Sequence, residues 1–227
     1  MKQFSRYQFA TAIAIIFHAV GLAGILFFNK DFFIGTTAFH LLLMCALIFY
    51  TQERINFGFI LFFILCFIAG MCVEIVGTST GMLFGNYSYG NVLGPGVKNV
   101  PFIIGINWFI IVYCCGIGMS TLFRRLAAKV GEETVYQHKF LKTASVVFDG
   151  ATLAVFFDWI LEPAAVKLGY WQWQDGDIPG FNYLSWFMVS ALLLLFFQLL
   201  PFNKHNKFAV NLLLIQLMFF LILRTFL

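Results

Sequence analysis

Seven long apolar stretches limit what this sequence can fold into. A helix needs about 20 residues with few charges to cross a hydrocarbon core of roughly 30 Å, and each stretch has this length and composition. The predicted spans cover residues 7–28, 32–50, 57–77, 101–123, 143–161, 183–202 and 208–226. We therefore predict an all-α, polytopic membrane helical bundle in which residues 1–227 form a single transmembrane domain.

The composition supports this prediction and excludes an ordinary soluble domain. Of the 227 residues, 61% are apolar and only 11% are charged, whereas soluble domains contain about 25% charged residues. The first span follows Lys2 and Arg6, but its apolar stretch is longer than the core of a signal peptide, and no clear small-residue cleavage site follows it. We expect it to be retained as a helix.

The positive charges divide unequally between the two sides of a seven-span chain. One side carries Lys2, Arg6, Arg54, Arg124, Arg125, Lys129, Lys139, Lys142, Lys204 and Lys207. The other side carries Lys30, Lys98, Lys167 and Arg224. Ten against four predicts a multi-pass protein of the inner (plasma) membrane with its amino terminus in the cytoplasm. The net charge of +4 follows from this topology, so nothing predicts a nucleic-acid partner.

Two parts of the chain, residues 57–123 and 143–202, match one another at equal spacings on both sides of a loop that is six residues shorter in the second part. The matched pairs are Glu74 and Asp158, Gly85 and Gly169, Tyr87-x-Tyr89 and Trp171-x-Trp173, Pro101 and Pro179, and Trp108 and Trp186. The copies begin two spans apart, which predicts a parallel helix–loop–helix repeat with a site at its interface. Because the connecting loops are apolar and aromatic, we expect two half-inserted loops on the outer side that cover one pocket.

Three acidic residues are the candidate catalytic groups. Asp158 and Glu162 are four residues apart and would share one face of a helix, and Glu74 ends the matching span. Carboxylates are costly in hydrocarbon and usually face the interior of the bundle, so we expect these three to converge. Alternatively, they anchor helix ends at the membrane surface or pair with Lys98 and Lys167. Asp149, deeper in its span, is either a proton relay or a polar contact between helices.

Aromatic and amide side chains accompany these acids. The aromatic candidates for substrate binding are Tyr87, Tyr89, Trp108, Trp171, Trp173 and Trp186. Aromatic residues at this depth also form the belt at the membrane surface, and this alternative stays open. Asn86, Asn99, Asn107 and Asn182 are candidates for holding a water molecule or orienting a carboxyl group.

Nothing in the sequence predicts a metal or a cofactor. The five cysteines lie in apolar spans without CxxC pairs, which favours packing over disulfides or metal ligands. His18 and His40 are isolated on apolar helices, where packing or a hydrogen bond is expected. The sequence contains neither a phosphate-binding glycine loop nor a nucleophile elbow.

Two blocks of this sequence resemble the membrane carotenoid hydratases, which include the carotenoid 1,2-hydratases of bacteria and the bisanhydrobacterioruberin hydratases of archaea. One block is FDWILEPAAVKLGYWQW followed by IPGFNYLSWF, and the other is EIVG with FGNYSYG and a later GPGV. The resemblance covers most of the chain from the third span onward. In the block that begins with EIVG it includes Glu74, Gly85, Tyr87, Pro101 and Trp108. In the block that begins with FDWILEP it includes Asp158, Glu162, Pro163, Gly169, Trp171, Trp173, Pro179, Asn182 and Trp186.

The resemblance implies a cofactor-independent hydro-lyase that adds water to the terminal double bond of an acyclic carotenoid end group, with a lycopene- or γ-carotene-type substrate. Such a reaction needs a general acid, an environment that tolerates a tertiary carbocation and one held water. Either Asp158 or Glu74 would protonate the alkene, and the other carboxylate would orient the water. Two alternatives stay open: a lycopene-cyclase-type carotenoid cyclase, and a non-catalytic lipid or ion transporter with the acids as proton relays.

Overall fold

A computed structural model describes residues 5–130, 139–174 and 176–227. Lys2, which contributes to the predicted orientation, lies outside the described residues, and so does the side chain of Lys139. The helices are α1 (Arg6–Phe27), α2 (Lys30–Gly35), α3 (Thr37–Thr51), α4 (Phe57–Thr80), α5 (Phe102–Val130), α6 (Lys139–Lys167), α7 (Gly180–Leu199) and α8 (Lys207–Phe226). The short strands are β1 (Tyr87–Tyr89), β2 (Gly96–Val97), β3 (Val100–Pro101) and β4 (Trp171–Trp173).

The helices form the predicted polytopic membrane bundle. Within the described residues, six of them are long and apolar enough to cross a bilayer, namely α1, α4, α5, α6, α7 and α8. The central helix is α5, which contacts α3, α4, α6, α7 and α8. In its most apolar 18-residue stretch 72% of the residues are buried, against 28% in α1, which lies at the edge of the bundle.

The second predicted span differs from the structure, because two helices replace the single helix expected over residues 32–50. The Asn29 side chain accepts a hydrogen bond from the Phe32 amide and begins α2, and the chain breaks at Thr36, whose hydroxyl donates to the Phe33 carbonyl. The 15 residues of α3 extend about 22 Å at 1.5 Å per residue, which is less than the thickness of the hydrocarbon core.

Even so, α3 runs between the two ends of the bundle. We call the end where α4 and α6 finish the site end. At that end the Thr37 and Tyr170 hydroxyls are hydrogen-bonded at 2.8 Å. At the opposite end Gln52, which follows α3, donates to the Asn203 carbonyl at 2.9 Å and accepts from the Tyr113 hydroxyl at 2.6 Å. The break in the second span therefore leaves the alternating direction of the helices unchanged.

The two loops at the site end join each other. Strand β1 from the first loop pairs with β4 from the second in antiparallel register, with Ser88 opposite Gln172. Gly90 permits this approach: a Cβ atom there would lie 2.2 Å from the carbonyl oxygen of Gly169, and the Gly90 amide donates to the Tyr170 carbonyl at 2.9 Å. The loops cover the site end together, while their half-insertion into the bilayer and the internal repeat stay predictions.

Candidate active site

Glu74 is buried near the site end of α4 and accepts hydrogen bonds from three aromatic side chains. The Tyr87 and Tyr89 hydroxyls donate to Oε2, the latter at 2.7 Å, and the Trp108 indole donates to Oε1 at 2.9 Å. The donors come from β1 and α5, so the contacts tie the first loop and the central helix to α4. These donors are phenols and an indole, rather than the lysines considered from the sequence.

Two glycines on the same face of α4 make room for these donors. A Cβ atom at Gly70, one turn before Glu74, would lie 2.6 Å from the Trp108 ring. A Cβ atom at Gly77, about one turn after it, would lie 3.0 Å from the Tyr87 hydroxyl. Residues three and four apart on a helix are neighbours on its surface. The segment from Gly70 to Gly77 thus places one carboxyl group between two clefts that aromatic rings fill.

The two tyrosines keep their protons and act as donors. Burial, and after it the neighbouring Glu74 carboxyl, raises the pKa of Tyr87 above its usual range. The same two causes, in the same order, raise the pKa of Tyr89. A phenol whose pKa is raised remains neutral at physiological pH. Both hydroxyls therefore donate to Glu74 rather than repel it.

Asp158 and Glu162 lie one turn apart on α6 and are 1% and 3% exposed. Asn182 of α7 donates to Asp158 Oδ2 at 2.9 Å. The indoles of Trp171 and Trp173, on β4, donate to Glu162 Oε2 at 2.9 and 3.2 Å. No described residue donates to Asp158 Oδ1 or to Glu162 Oε1, so each of these two carboxyl groups has one oxygen available for a ligand.

Pro163 follows Glu162 inside α6. Proline has no amide hydrogen, so the carbonyl four residues earlier, that of Trp159, loses its helical partner. Arg224 of α8 replaces that partner, since its guanidinium donates to the Trp159 carbonyl at 2.6 Å and lies 4.1 Å from the centre of the Trp159 ring. This contact fixes α6 against α8 next to the acids.

Aromatic rings form the walls around the three acids. Trp108 and Trp186 stack with their centres 4.0 Å apart and their planes at 11°. Tyr87 and Trp173 lie across the β1–β4 pair with centres 5.1 Å apart. Trp108 and Trp186 are paired positions of the predicted repeat, whereas Tyr87 contacts Trp173 and its counterpart in the repeat is Trp171.

A small cavity lies at the centre of this cluster. Its volume is about 30 Å³, which exceeds the roughly 10–15 Å³ that a cavity needs to hold one water molecule. Its lining consists of Glu74, Phe84, Tyr87, Tyr89, Ile104, Asn107, Trp108, Asp158, Glu162, Trp171, Trp173, Asn182 and Trp186. We call this space the acid chamber. The predicted convergence of three carboxyl groups is what the structure shows.

Three predicted residues lie apart from the acid chamber. Asn99 is exposed between β2 and β3 and does not line it. Asn86 is exposed, and its backbone carbonyl accepts from the Gln174 amide, so its side chain takes no part in the lining. Asp149 lies nine residues before Asp158 on α6 and accepts a hydrogen bond from the Ser145 hydroxyl at 2.5 Å. At 1.5 Å per residue, that places it about 13 Å along the helix from Asp158.

A second, larger cavity of about 540 Å³ adjoins the acid chamber. Residues of α1, α2, α3 and α8 line most of it, and it shares Ile104, Asn107 and Trp171 with the acid chamber. Several of its residues also face outward: Phe17 is 48% exposed and Phe39 is 75% exposed. This apolar cavity therefore opens sideways between helices, where the bilayer would be.

Sequence reasoning missed the larger cavity, because the motifs lie outside the first two spans. One signal was present. His18 stands ten residues before the end of the first predicted span, and His40 stands eight residues after the start of the second. In adjacent antiparallel helices these positions have similar depth. The two side chains meet there, with their Nε2 atoms 3.3 Å apart.

A family model described as "Carotenoid biosynthesis protein" matches residues 35–227. The chain belongs to this carotenoid biosynthesis protein family. It is also similar to a bisanhydrobacterioruberin hydratase of Haloarcula japonica, with 29% identity over 130 residues that make up 56% of this chain and 40% of that protein. The match thus spans less than half of that relative's length. No solved structure matches the chain.

The carotenoid biosynthesis protein match includes all of the acid chamber and begins at the end of α2. In contrast, α1 and most of α2 lie before it, although both helices line the larger cavity. The part of this carotenoid biosynthesis protein that fits the family model therefore contains the candidate chemistry, and the preceding helices complete the apolar space beside it.

Proposed function

We propose that this protein is a carotenoid hydratase, which adds water to the terminal carbon–carbon double bond of an acyclic carotenoid end group. One observation carries the proposal: three buried carboxyl groups line a small chamber with room for a water molecule, and that chamber shares a wall with a large apolar cavity. Membership of the carotenoid biosynthesis family and the similarity to a named hydratase support it. Lycopene or γ-carotene is the proposed type of substrate.

The proposed substrate lies in the larger cavity with its end group at the shared wall. The larger cavity is apolar and open toward the bilayer, whereas the much smaller acid chamber holds the carboxyl groups that must contact the terminal double bond. The terminal double bond would meet Ile104, Asn107 and Trp171, which border both spaces. The chamber beyond them would hold the water.

Asp158 is the proposed general acid. It has one hydrogen-bond donor, Asn182, and a second oxygen that no described residue contacts. Two carboxyl groups one helical turn apart repel each other when both are ionised, so Asp158 and Glu162 favour a state with one proton between them. In the first step the Asp158 proton forms a C–H bond at the less substituted alkene carbon, and the other carbon becomes a tertiary cation.

Glu162 is the proposed base of the second step. Both of its indole donors contact Oε2, which leaves Oε1 able to accept a hydrogen bond from water. The water oxygen forms a C–O bond with the cation, and its released proton goes to Glu162. Transfer of that proton to Asp158 restores the starting state, so the net change is the addition of one water molecule.

The aromatic side chains have two proposed roles. The rings of Trp171, Trp108 and Trp186 line the chamber, and their electron-rich faces would stabilise the developing cation. Tyr87 and Tyr89 donate hydrogen bonds to Glu74. In this scheme Glu74 is a positioning residue, because it holds the two tyrosine rings in the wall of the chamber.

The test compares Asp158→Asn with Asp149→Asn in a bacterium that produces lycopene or γ-carotene. Asp158→Asn keeps the size of the side chain and removes the acid, so we expect hydration to fall by about 10²- to 10⁴-fold. Asp149→Asn changes the same helix outside the acid chamber and should leave the yield close to that of the unchanged protein. The measurement is the mass of the extracted carotenoids, which rises by one water per hydrated end.

Other outcomes of that experiment would overturn the proposal. A product of unchanged mass with a ringed end group would indicate the cyclase. Unaltered pigments, together with movement of a lipid or an ion by vesicles containing the protein, would indicate the transporter. Full hydration by Asp158→Asn would remove the proposed acid.

The proposed location is the inner (plasma) membrane with the amino terminus in the cytoplasm. Arg124, Lys204 and Lys207 lie at the opposite end of the bundle from the site, and cytoplasmic ends are the more basic ones. In intact cells, a membrane-impermeant maleimide should label Ser88→Cys and not Arg125→Cys. The reverse pattern would invert the orientation.

A further inference from the structure

The wall of the larger cavity is mainly apolar, but three neighbouring helices each contribute a polar side chain to it. His18 of α1, His40 of α3 and Gln216 of α8 all line it. His18 contacts His40 and also packs edge to face against Phe219, which is one turn after Gln216 on α8. We call these three side chains the polar patch. None of them borders the acid chamber or takes part in the proposed hydration.

The hydrogen bonds of the two histidines determine which nitrogens carry hydrogen. His18 Nδ1 lies 2.7 Å from the Ala14 carbonyl, which can only accept, so Nδ1 is the donor. In the neutral ring Nε2 is then an acceptor, and it receives a hydrogen bond from His40 Nε2 at 3.3 Å. His40 Nδ1 is therefore left as an acceptor, and no described residue donates to it.

Gln216 is a buried amide with an unused oxygen. It is 4% exposed, and its Oε1 has no hydrogen-bond partner among the described residues. A buried polar atom without a partner costs about 1–3 kcal/mol. Oε1 is enclosed, whereas the Gln216 side chain borders the cavity, and rotation of the amide about its terminal bond would exchange Oε1 with Nε2. A molecule bound in the cavity would then supply the missing partner.

We propose that the polar patch binds a hydroxyl group on the apolar ligand of the larger cavity. A hydroxyl can donate one hydrogen bond and accept others, so it can donate to His40 Nδ1 and accept from the Gln216 amide, or donate to Gln216 Oε1. A carbonyl oxygen could only accept and would leave His40 Nδ1 unmatched. The preferred ligand is thus a long apolar alcohol, such as a chain of the lycopene or γ-carotene type that already carries one hydroxyl, and its carotenoid nature alone rests on the proposed function.

The polar patch would favour substrates that already carry a hydroxyl group at a position away from the reacting double bond. The larger cavity excludes strongly hydrated ligands, because its lining is otherwise dominated by side chains such as Phe17, Phe33 and Leu43. A hydrocarbon of the same length would fill the space and leave the polar patch unmatched. A tenfold preference for the alcohol corresponds to about 1.4 kcal/mol, which lies within the range expected for two matched hydrogen bonds.

The test measures binding in the Asp158→Asn background, so that it does not depend on turnover. Purified protein is titrated with an acyclic carotenoid hydrocarbon and with its monohydroxylated derivative, and binding is followed by the absorption spectrum of the pigment. We expect about tenfold preference for the alcohol. Gln216→Met and His40→Phe should reduce the preference to near one and retain hydrocarbon binding, while Leu43→Ile, an apolar change in the same cavity, should keep it.

Equal binding of the two pigments by the parent protein would overturn the inference, and so would an unchanged preference in both Gln216→Met and His40→Phe. Hydrocarbon binding reports whether each variant has folded. If neither variant accumulates, the comparison of alcohol and hydrocarbon on the parent protein decides. The binding assay and the hydration assay are independent. If no pigment gains mass, the proposed hydration is wrong, and a measured preference for the alcohol would still support the hydroxyl site.

Discussion

At the scale of single residues, Glu74 shows how an apolar helix accommodates a carboxyl group. Burial of a charge without partners is prohibitive, and here each oxygen has at least one donor. The donors are themselves rigid aromatic rings that pack in the surrounding core. The same aromatic side chains therefore supply the hydrogen bonds to Glu74 and pack the surrounding core. Small residues beside Glu74 make room for them.

Gly70→Ala tests this dependence. Its Cβ would lie 2.6 Å from the fully buried Trp108 ring, so the ring and its hydrogen bond to Glu74 must shift. We expect a loss of about 1–3 kcal/mol in stability, with reduced hydration. Gly118→Ala is the control, because the nearest atom to its Cβ, in Leu213, is at an ordinary 3.5 Å. Thermal unfolding in detergent measures both, and equal shifts in the two variants would contradict the prediction.

At the scale of elements, the pairing of β1 with β4 brings residues from two distant loops over the acids. Tyr87 and Tyr89 bind Glu74 from one strand, and Trp171 and Trp173 bind Glu162 from the other. The side chains alternate along each strand, so both pairs point toward the chamber, while Ser88 and Gln172 between them are exposed. Two short strands thus supply four of the site's donors.

A disulfide between Ser88→Cys and Gln172→Cys tests the register of this pairing. Directly opposite residues in an antiparallel pair have Cα atoms about 4.5–5.5 Å apart, within the range of a disulfide. We expect the cross-link to form on oxidation and hydration to continue, because the substrate reaches the site from the larger cavity. Ser88→Cys with Gln174→Cys, one diagonal position away, should cross-link poorly. Activity that returns only on reduction would show that the loops must separate.

At the scale of the whole molecule, the bundle separates chemistry from substrate space. The acids come from α4 and α6 beside the central helix, and the walls of the larger cavity come mainly from α1, α2, α3 and α8 at the edge. A central position keeps the carboxyl groups out of contact with bulk water, and an edge position gives an apolar molecule access from the bilayer. Among the described residues, the two spaces share Ile104, Asn107 and Trp171.

Gly21→Trp tests the role of the amino-terminal helices. Gly21 lies in the wall of the larger cavity, and the nearest atom to an added Cβ, in Phe219, is 3.9 Å away, so a large ring has room to occupy the cavity. We expect hydration to fall at least about tenfold at an unchanged protein level, as for other losses of productive binding. Gly35→Trp, where no atom lies within 4 Å of the added Cβ, should hydrate normally. Equal product from both variants would place the substrate elsewhere.

The apolar runs were enough to predict the membrane bundle, because a run of about 20 apolar residues has few stable alternatives to a spanning helix. The repeated spacing also indicated the convergence of Glu74, Asp158 and Glu162, since equal spacing in two segments places matching residues at matching depth. No pattern indicated the break at Thr36 or the exposure of Asn86, which depend on local hydrogen bonds and on the path of a loop. Which donor serves which carboxyl group depends on contacts between distant segments, so it follows from the folded structure.

The larger cavity was also decided by tertiary structure alone. A cavity is space that side chains from distant segments leave unfilled, and no local pattern records it. His18, His40 and Gln216 are unremarkable on their own helices, and they become one polar patch because α1, α3 and α8 pack at the same edge of the bundle. The length of each apolar run determines whether a helix can cross the membrane. The shapes of the contacting helix faces determine whether a cavity remains between the helices.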